Sequence, residues 1–151
     1  MSDQPMLIRP YLSLAVFCEK VLKESDGVIS AIRIVDRWAI PGTTEHMPKA
    51  TIAFSVLIVF KSGEYRGRAE IELKPIPPSQ RAMPSIKFPV NFEGDDDRGI
   101  GLATPIQFQV EEEGLYWFDV SLGIGGGVRP ELITRIPMRI LYQRVQTVGG
   151  A

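Results

Sequence analysis

Apolar residues recur at every second position along most of this chain, and that period limits the fold more than any other feature. Tyr65, Gly67, Ala69, Ile71 and Leu73 alternate with Arg66, Arg68, Glu70 and Glu72, giving a strand one dry face and one wet face. Thr51 to Phe60 sets Ile52, Phe54, Val56, Ile58 and Phe60 on one side, and Ser62-Gly63 reads as the hairpin turn joining these two strands. An earlier hairpin joins Leu12–Leu22 to Val28–Trp38 through Glu24-Ser25-Asp26-Gly27, with Ile32 and Ile34 expected inside. Ile86, Phe88, Val90 and Phe92 form a further inward row, which Pro89 consigns to a sheet edge. Ile136, Met138, Ile140 and Tyr142 form the last row, and Pro137 makes that strand an edge candidate too. No window keeps apolar residues at helical spacing without a Gly or Pro break.

One stretch carries more than alternation. In Glu112-x-Gly114-x-Tyr116-x-Phe118 a tight turn delivers a tyrosine into one face of a strand, and a hairpin from the row Ile106, Phe108, Val110 through Glu111-Glu112-Glu113-Gly114 is the simplest connection. The spacing is similar to the tyrosine corner of immunoglobulin-like domains, where the phenol hydroxyl bonds to nearby backbone and pins a strand crossing between sheets. Phe118 stands where antibody domains carry their second cysteine. Together these features predict an all-β chain: a two-sheet antiparallel β-sandwich of about eight strands, immunoglobulin-like or C2-like. Residues 1–10 read as an N-terminal arm, 11–144 as one domain and 145–151 as a flexible tail, in which Gly149-Gly150 carries no assigned role.

Composition excludes several classes. With 17 basic and 18 acidic residues and a net charge of -1, no broad positive field draws nucleic acid or anionic lipid. The single Cys18 cannot form an internal bridge, and its apolar run Leu14-Ala15-Val16-Phe17-Cys18 marks a buried, inert thiol. Met1-Ser2-Asp3-Gln4-Pro5 lacks the charged start and apolar core of a signal peptide, and no apolar run is long enough for a membrane helix, so a cytoplasmic location is expected.

The first hairpin, Phe17-Cys18-Glu19-Lys20-Val21-Leu22 through Asp26-Gly27-Val28-Ile29-Ser30-Ala31-Ile32-Arg33-Ile34-Val35-Asp36-Arg37, resembles the opening of a family of short bacterial β-sandwich proteins of unknown function. That resemblance covers about the first quarter of the chain. It implies a bacterial cytosolic protein and supplies no catalytic residues.

Chemistry-bearing residues are sparse. His46 is the only histidine, so no multi-histidine metal site exists, and its place between Pro41 and Pro48 is that of a solvated loop residue. Asp95, Asp96 and Asp97 form the one concentrated carboxylate cluster, a weak candidate for Ca2+ because the ligands come mainly from one loop that also holds Arg98, and Glu45 is the only obvious loop carboxylate in the connection after Trp38. Gly123-Ile124-Gly125-Gly126-Gly127 lacks the lysine and following helix of a phosphate cradle. Glu70 and Glu72 lie on a wet strand face with nothing apolar to raise a pKa.

The stronger anomaly is apolar material on faces that should be wet. Phe17, Leu57, Val59, Leu115, Trp117 and Leu141 are the interface candidates, unless the segment Pro5–Ile8 or the proline-rich link Pro75-Ile76-Pro77-Pro78 covers them. Glu112, Gly114 and Tyr116 are assigned to the structural corner. The expected function is therefore a non-enzymatic interaction or assembly module without cofactor, binding itself as a homo-oligomer or another protein. The alternative is a ligand-binding module, taking Ca2+ through Asp95–Asp97 or a flat or sugar ligand on Trp38 and Trp117.

Overall fold

The computed structural model describes residues 9–125 and 129–146, and over them the chain forms nine strands and no helix. They are β1 (Tyr11–Lys23), β2 (Ile29–Val35), β3 (Arg37–Gly42), β4 (Ala50–Lys61), β5 (Gly67–Ile76), β6 (Ile86–Phe92), β7 (Gly99–Val110), β8 (Gly114–Ile124) and β9 (Glu131–Arg144). A four-stranded sheet has the order β2-β1-β4-β7 and a five-stranded sheet the order β3-β9-β8-β5-β6. Every pair is antiparallel except β3 with β9, which is parallel. The five-stranded sheet is curled into a half-barrel.

The expected inward rows meet in one core. Ile52, Phe54, Val56, Ile58 and Phe60 of β4 face Ile71 and Leu73 of β5 and Tyr116, Phe118 and Val120 of β8. Phe17 joins the two sheets: its ring lies 4.7 Å from Phe54 and 4.8 Å from Phe118, both edge-on, the arrangement aromatic quadrupoles favour. This corrects the expectation that Phe17 points outward. Both faces of β1 are apolar, so alternation alone could not choose between them, and the register shift between Leu12 and Leu14 moves the row that follows.

Three connections and the place of one strand depart from expectation. The segment read as one strand, Val28–Trp38, breaks at Asp36: β2 stays beside β1, while β3 crosses to the other sheet and accounts for the ninth strand. Ser62-Gly63 makes no hairpin, because β4 and β5 belong to different sheets and the turn, with Gly63 at φ 56°, carries the chain between them. Glu111 to Gly114 is likewise a crossing between sheets. Strand β6 is an edge, as Pro89 requires, but β9 lies inside its sheet despite Pro137. Arg139 donates its backbone N–H to Asp36 O at 2.8 Å, so the same side of β9 two residues earlier faces the start of β3, where pairing begins only at Arg37↔Arg139. The N–H that Pro137 lacks has no strand to meet.

The first hairpin turns as expected, with Gly27 at φ 88° and Asp26 Oδ1 accepting the Val28 N–H at 3.0 Å. Its course beyond the turn is different. Pairing of β1 with β4 stops at Cys18↔Ser55, and the β1–β2 ladder is interrupted opposite Glu19, where Arg33 takes φ 55°. Beyond this kink the hairpin crosses the outer face of the four-stranded sheet. Ile29 Cδ1 lies 3.3 Å from where a Cβ on Gly101 of β7 would stand, although β1 and β4 separate the two strands in the sheet order. Hence Cys18 and Leu57 are buried although they point away from the main core. Ile32 and Ile34, expected inside, are exposed instead.

Candidate functional site

Outer-face pairing gathers the exposed apolar side chains on the four-stranded sheet. Ile34 pairs with Cys18, Val16 with Leu57 and Leu14 with Val59, so these residues share the surface opposite the core. Eight large hydrophobic residues are exposed among the described residues, and five of them, Tyr11, Leu14, Val28, Ile32 and Ile34, come from the first hairpin and its turn. Ile34 is 65% exposed. Strand β2 also ends its sheet, so its outer N–H and C=O groups have no neighbouring strand.

The interface candidates named from sequence divide. Phe17 belongs to the core, and Leu57, 3% exposed, is covered on the outer face. Val59 is half-buried beside Leu14. Leu115, Trp117 and Leu141 lie on the outer face of the five-stranded sheet, where Trp117, 39% exposed, sits between Pro137 of β9 and Ile76 of β5. Leu115 pairs with Arg139 and Leu141 with Ala39, and both are half-buried. Trp38, proposed as a flat platform, packs against Phe54 with ring centroids 6.0 Å apart. Ile32 and Ile34 were missed. Arg33 interrupts their alternation with a left-handed backbone that nothing in its identity announces. The segments Pro5–Ile8 and Gly149-Gly150, with Gly126 and Gly127 of the glycine run, lie outside the described residues.

No protein-family model matches the chain, and neither does any curated protein. The chemistry of each remaining candidate therefore rests on its own geometry.

The Asp95–Asp97 loop is organised by an arginine. Arg66 Nη2 donates to Asp96 Oδ1 at 2.8 Å, Nε to Gly94 O at 2.6 Å, and Nη1 to Gly63 O at 2.6 Å and Tyr65 O at 2.8 Å. A guanidinium thus stands where the loop's oxygens converge, and its charge opposes a cation there. No three His, Cys, Asp or Glu side chains are grouped to hold a metal ion among the described residues. His46 is exposed, and its backbone carbonyl accepts from Thr44 Oγ1 at 2.7 Å.

At the corner, Tyr116 is fully buried and donates its hydroxyl to Glu112 O at 2.8 Å. Burial pushes its phenol above the usual range; the Glu112 backbone contact pulls the other way, and the Glu112 carboxylate adds to the rise. Gly114 takes φ +129°, and a Cβ there would come within 2.8 Å of Pro78 Cγ. The Glu112 carboxylate accepts from Ser79 Oγ at 2.6 Å, so the corner also holds the link between β5 and β6. These residues tie the sheet crossing to the link between β5 and β6.

Proposed function

We propose that the chain is an immunoglobulin-like or C2-like β-sandwich that performs no catalysis and works by protein contact, pairing with a second copy through the first hairpin. Five of the eight exposed large hydrophobics among the described residues lie on that hairpin and its turn, with Ile32 and Ile34 two residues apart on its edge strand, and this carries the reading. Leaving such side chains wet forgoes roughly 1.5–3 kcal/mol each, and apolar side chains beside an unpaired strand edge, as Ile32 and Ile34 are, mark a contact site. A two-fold arrangement is the commonest for identical chains and would set one β2 edge against the other, using the unpaired edge and its isoleucines together. The corner at Tyr116 and the packing of both sheets on one core support the sandwich assignment. The likeness of the first hairpin to the bacterial family supports a bacterial cytosolic protein. No helix among the described residues is long and apolar enough to cross a membrane.

A second reading, a flat or sugar ligand stacked on Trp117, draws on the exposed Trp117 and Pro137 beside the half-buried Ile76.

Sedimentation of the full chain separates these readings. The dimer is expected at tens of micromolar, and Ile34→Glu is expected to yield a monomer with an unchanged melting midpoint. A wild-type monomer at several hundred micromolar overturns the self-association.

A further inference from the structure

The edge strands β6 and β7 end the two sheets on the same side of the molecule and approach each other there. Between them opens a cleft of about 360 Å³, within the size range of small-molecule sites. Phe108 contributes aromatic surface, Met83 and Ile86 add aliphatic surface, and Phe118 borders the cleft from the core with 1% of its surface exposed. Arg81 also lines it.

Arg81 is the unusual member. Its Nε lies 3.9 Å from both Glu111 Oε2 and Glu112 Oε1, too far for a hydrogen bond. Its Nη2 is buried and has no acceptor among the described residues. The two glutamates are engaged elsewhere: Glu111 Oε1 faces Lys49 Nζ at 3.3 Å, and Glu112 Oε1 accepts from Ser79 Oγ. Nη2 itself is covered by the protein, so a ligand meets Arg81 through the part of its side chain that remains exposed, 36% of it. A guanidinium presents its N–H groups as a fork that fits a carboxylate.

We propose that this cleft binds a small molecule with an aromatic or branched apolar body and one carboxylate, the body lying against Phe108 and Met83 and the carboxylate meeting Arg81. Arg81 disfavours a cationic group in the same position, whereas Glu111 at the rim favours one and narrows the acid's advantage. The site is separate from the outer face of the first hairpin, so binding here and pairing there stand or fall independently.

Titration of the full chain carrying [methyl-13C]methionine tests it, with three probes of equal size: 3-phenylpropanoate, 3-phenylpropanamide and 3-phenylpropylamine. The Met83 methyl signal is expected to move and saturate with the acid in the millimolar range, ordinary for a probe this small. The amine should bind about tenfold more weakly, the amide should fall between, and Arg81→Met should reduce the acid to the level of the amide. A Met83 signal unmoved by the acid at roughly 10 mM, or equal midpoints for acid and amine, overturns the proposal. The buried Met138 methyl reports whether the variant keeps its fold. If it does not, the three-probe comparison on the unaltered chain decides the question alone.

Discussion

Tyr116 donates its hydroxyl to the backbone carbonyl of Glu112, four residues earlier, across the turn at which the chain passes from β7 in one sheet to β8 in the other. The same Glu112 accepts from Ser79 with its carboxylate, so one residue holds the sheet crossing through its backbone and the β5–β6 link through its side chain. Each bond orders a segment that alternation leaves unspecified.

Tyr116→Phe should cost about 1 kcal/mol in urea denaturation at neutral pH, the net scale of one buried hydrogen bond. Its pH dependence has a definite sign. Burial raises the phenol above its usual 10.0, so the folded chain holds that proton more tightly than the unfolded chain does. This contribution is complete below pH 10 and is lost as pH rises past 10 toward the folded value. The wild-type advantage over Tyr116→Phe should accordingly shrink above pH 10, and an advantage constant to pH 11 contradicts the burial assigned to Tyr116.

Millimolar Ca2+ should leave the melting midpoint unchanged, because the Arg66 guanidinium already takes Asp96 Oδ1 and the Gly94 carbonyl. Arg66→Met should instead lower stability by about 1–3 kcal/mol, since it strips partners from Gly63, Tyr65 and Gly94 carbonyls at once. A rise of several degrees with Ca2+, abolished in Asp96→Asn, would reverse the assignment of that loop.

Cys18 should react slowly with a disulfide reagent in the native state. Burial pushes its thiol above the ordinary 9.0, with the Lys20 backbone contact pulling slightly down, so thiolate is scarce as well as enclosed. Gly101→Val should press on Ile29 and loosen the crossing hairpin, speeding the reaction about tenfold while the main core melts almost unchanged. Equal rates in both proteins would show that the hairpin is not what encloses the thiol.

Much of the fold was legible because alternation fixes strands wherever one face is wet: β4, β5, β6 and β9 lie where their apolar rows predict. The corner was legible because glycine, tyrosine and spacing act locally. Partnership was not. Ser62-Gly63 has the composition of a hairpin turn, yet joins strands of different sheets, because turn chemistry sets chain reversal and not which strands then pair. Phe17 and Ile34 exchanged their expected places because β1 is apolar on both faces and the kink at Arg33 redirects the hairpin. Arg81, in the link before β6, gave no signal, since its significance depends on Phe108 and Phe118 arriving from two other strands.

The parallel pairing of β3 with β9 has a consequence for how the chain is made. Arg37 to Gly42 must wait for Arg139 to Arg144, about a hundred residues later in the chain, before it has a neighbour at all. Until then β8 lacks its β9 partner and the core lacks Ile136, Met138 and Ile140, so a nascent or truncated chain carries open strand edges beside apolar side chains. Contacts this distant in sequence are slow to close, and the arrival of β9 is what closes these edges.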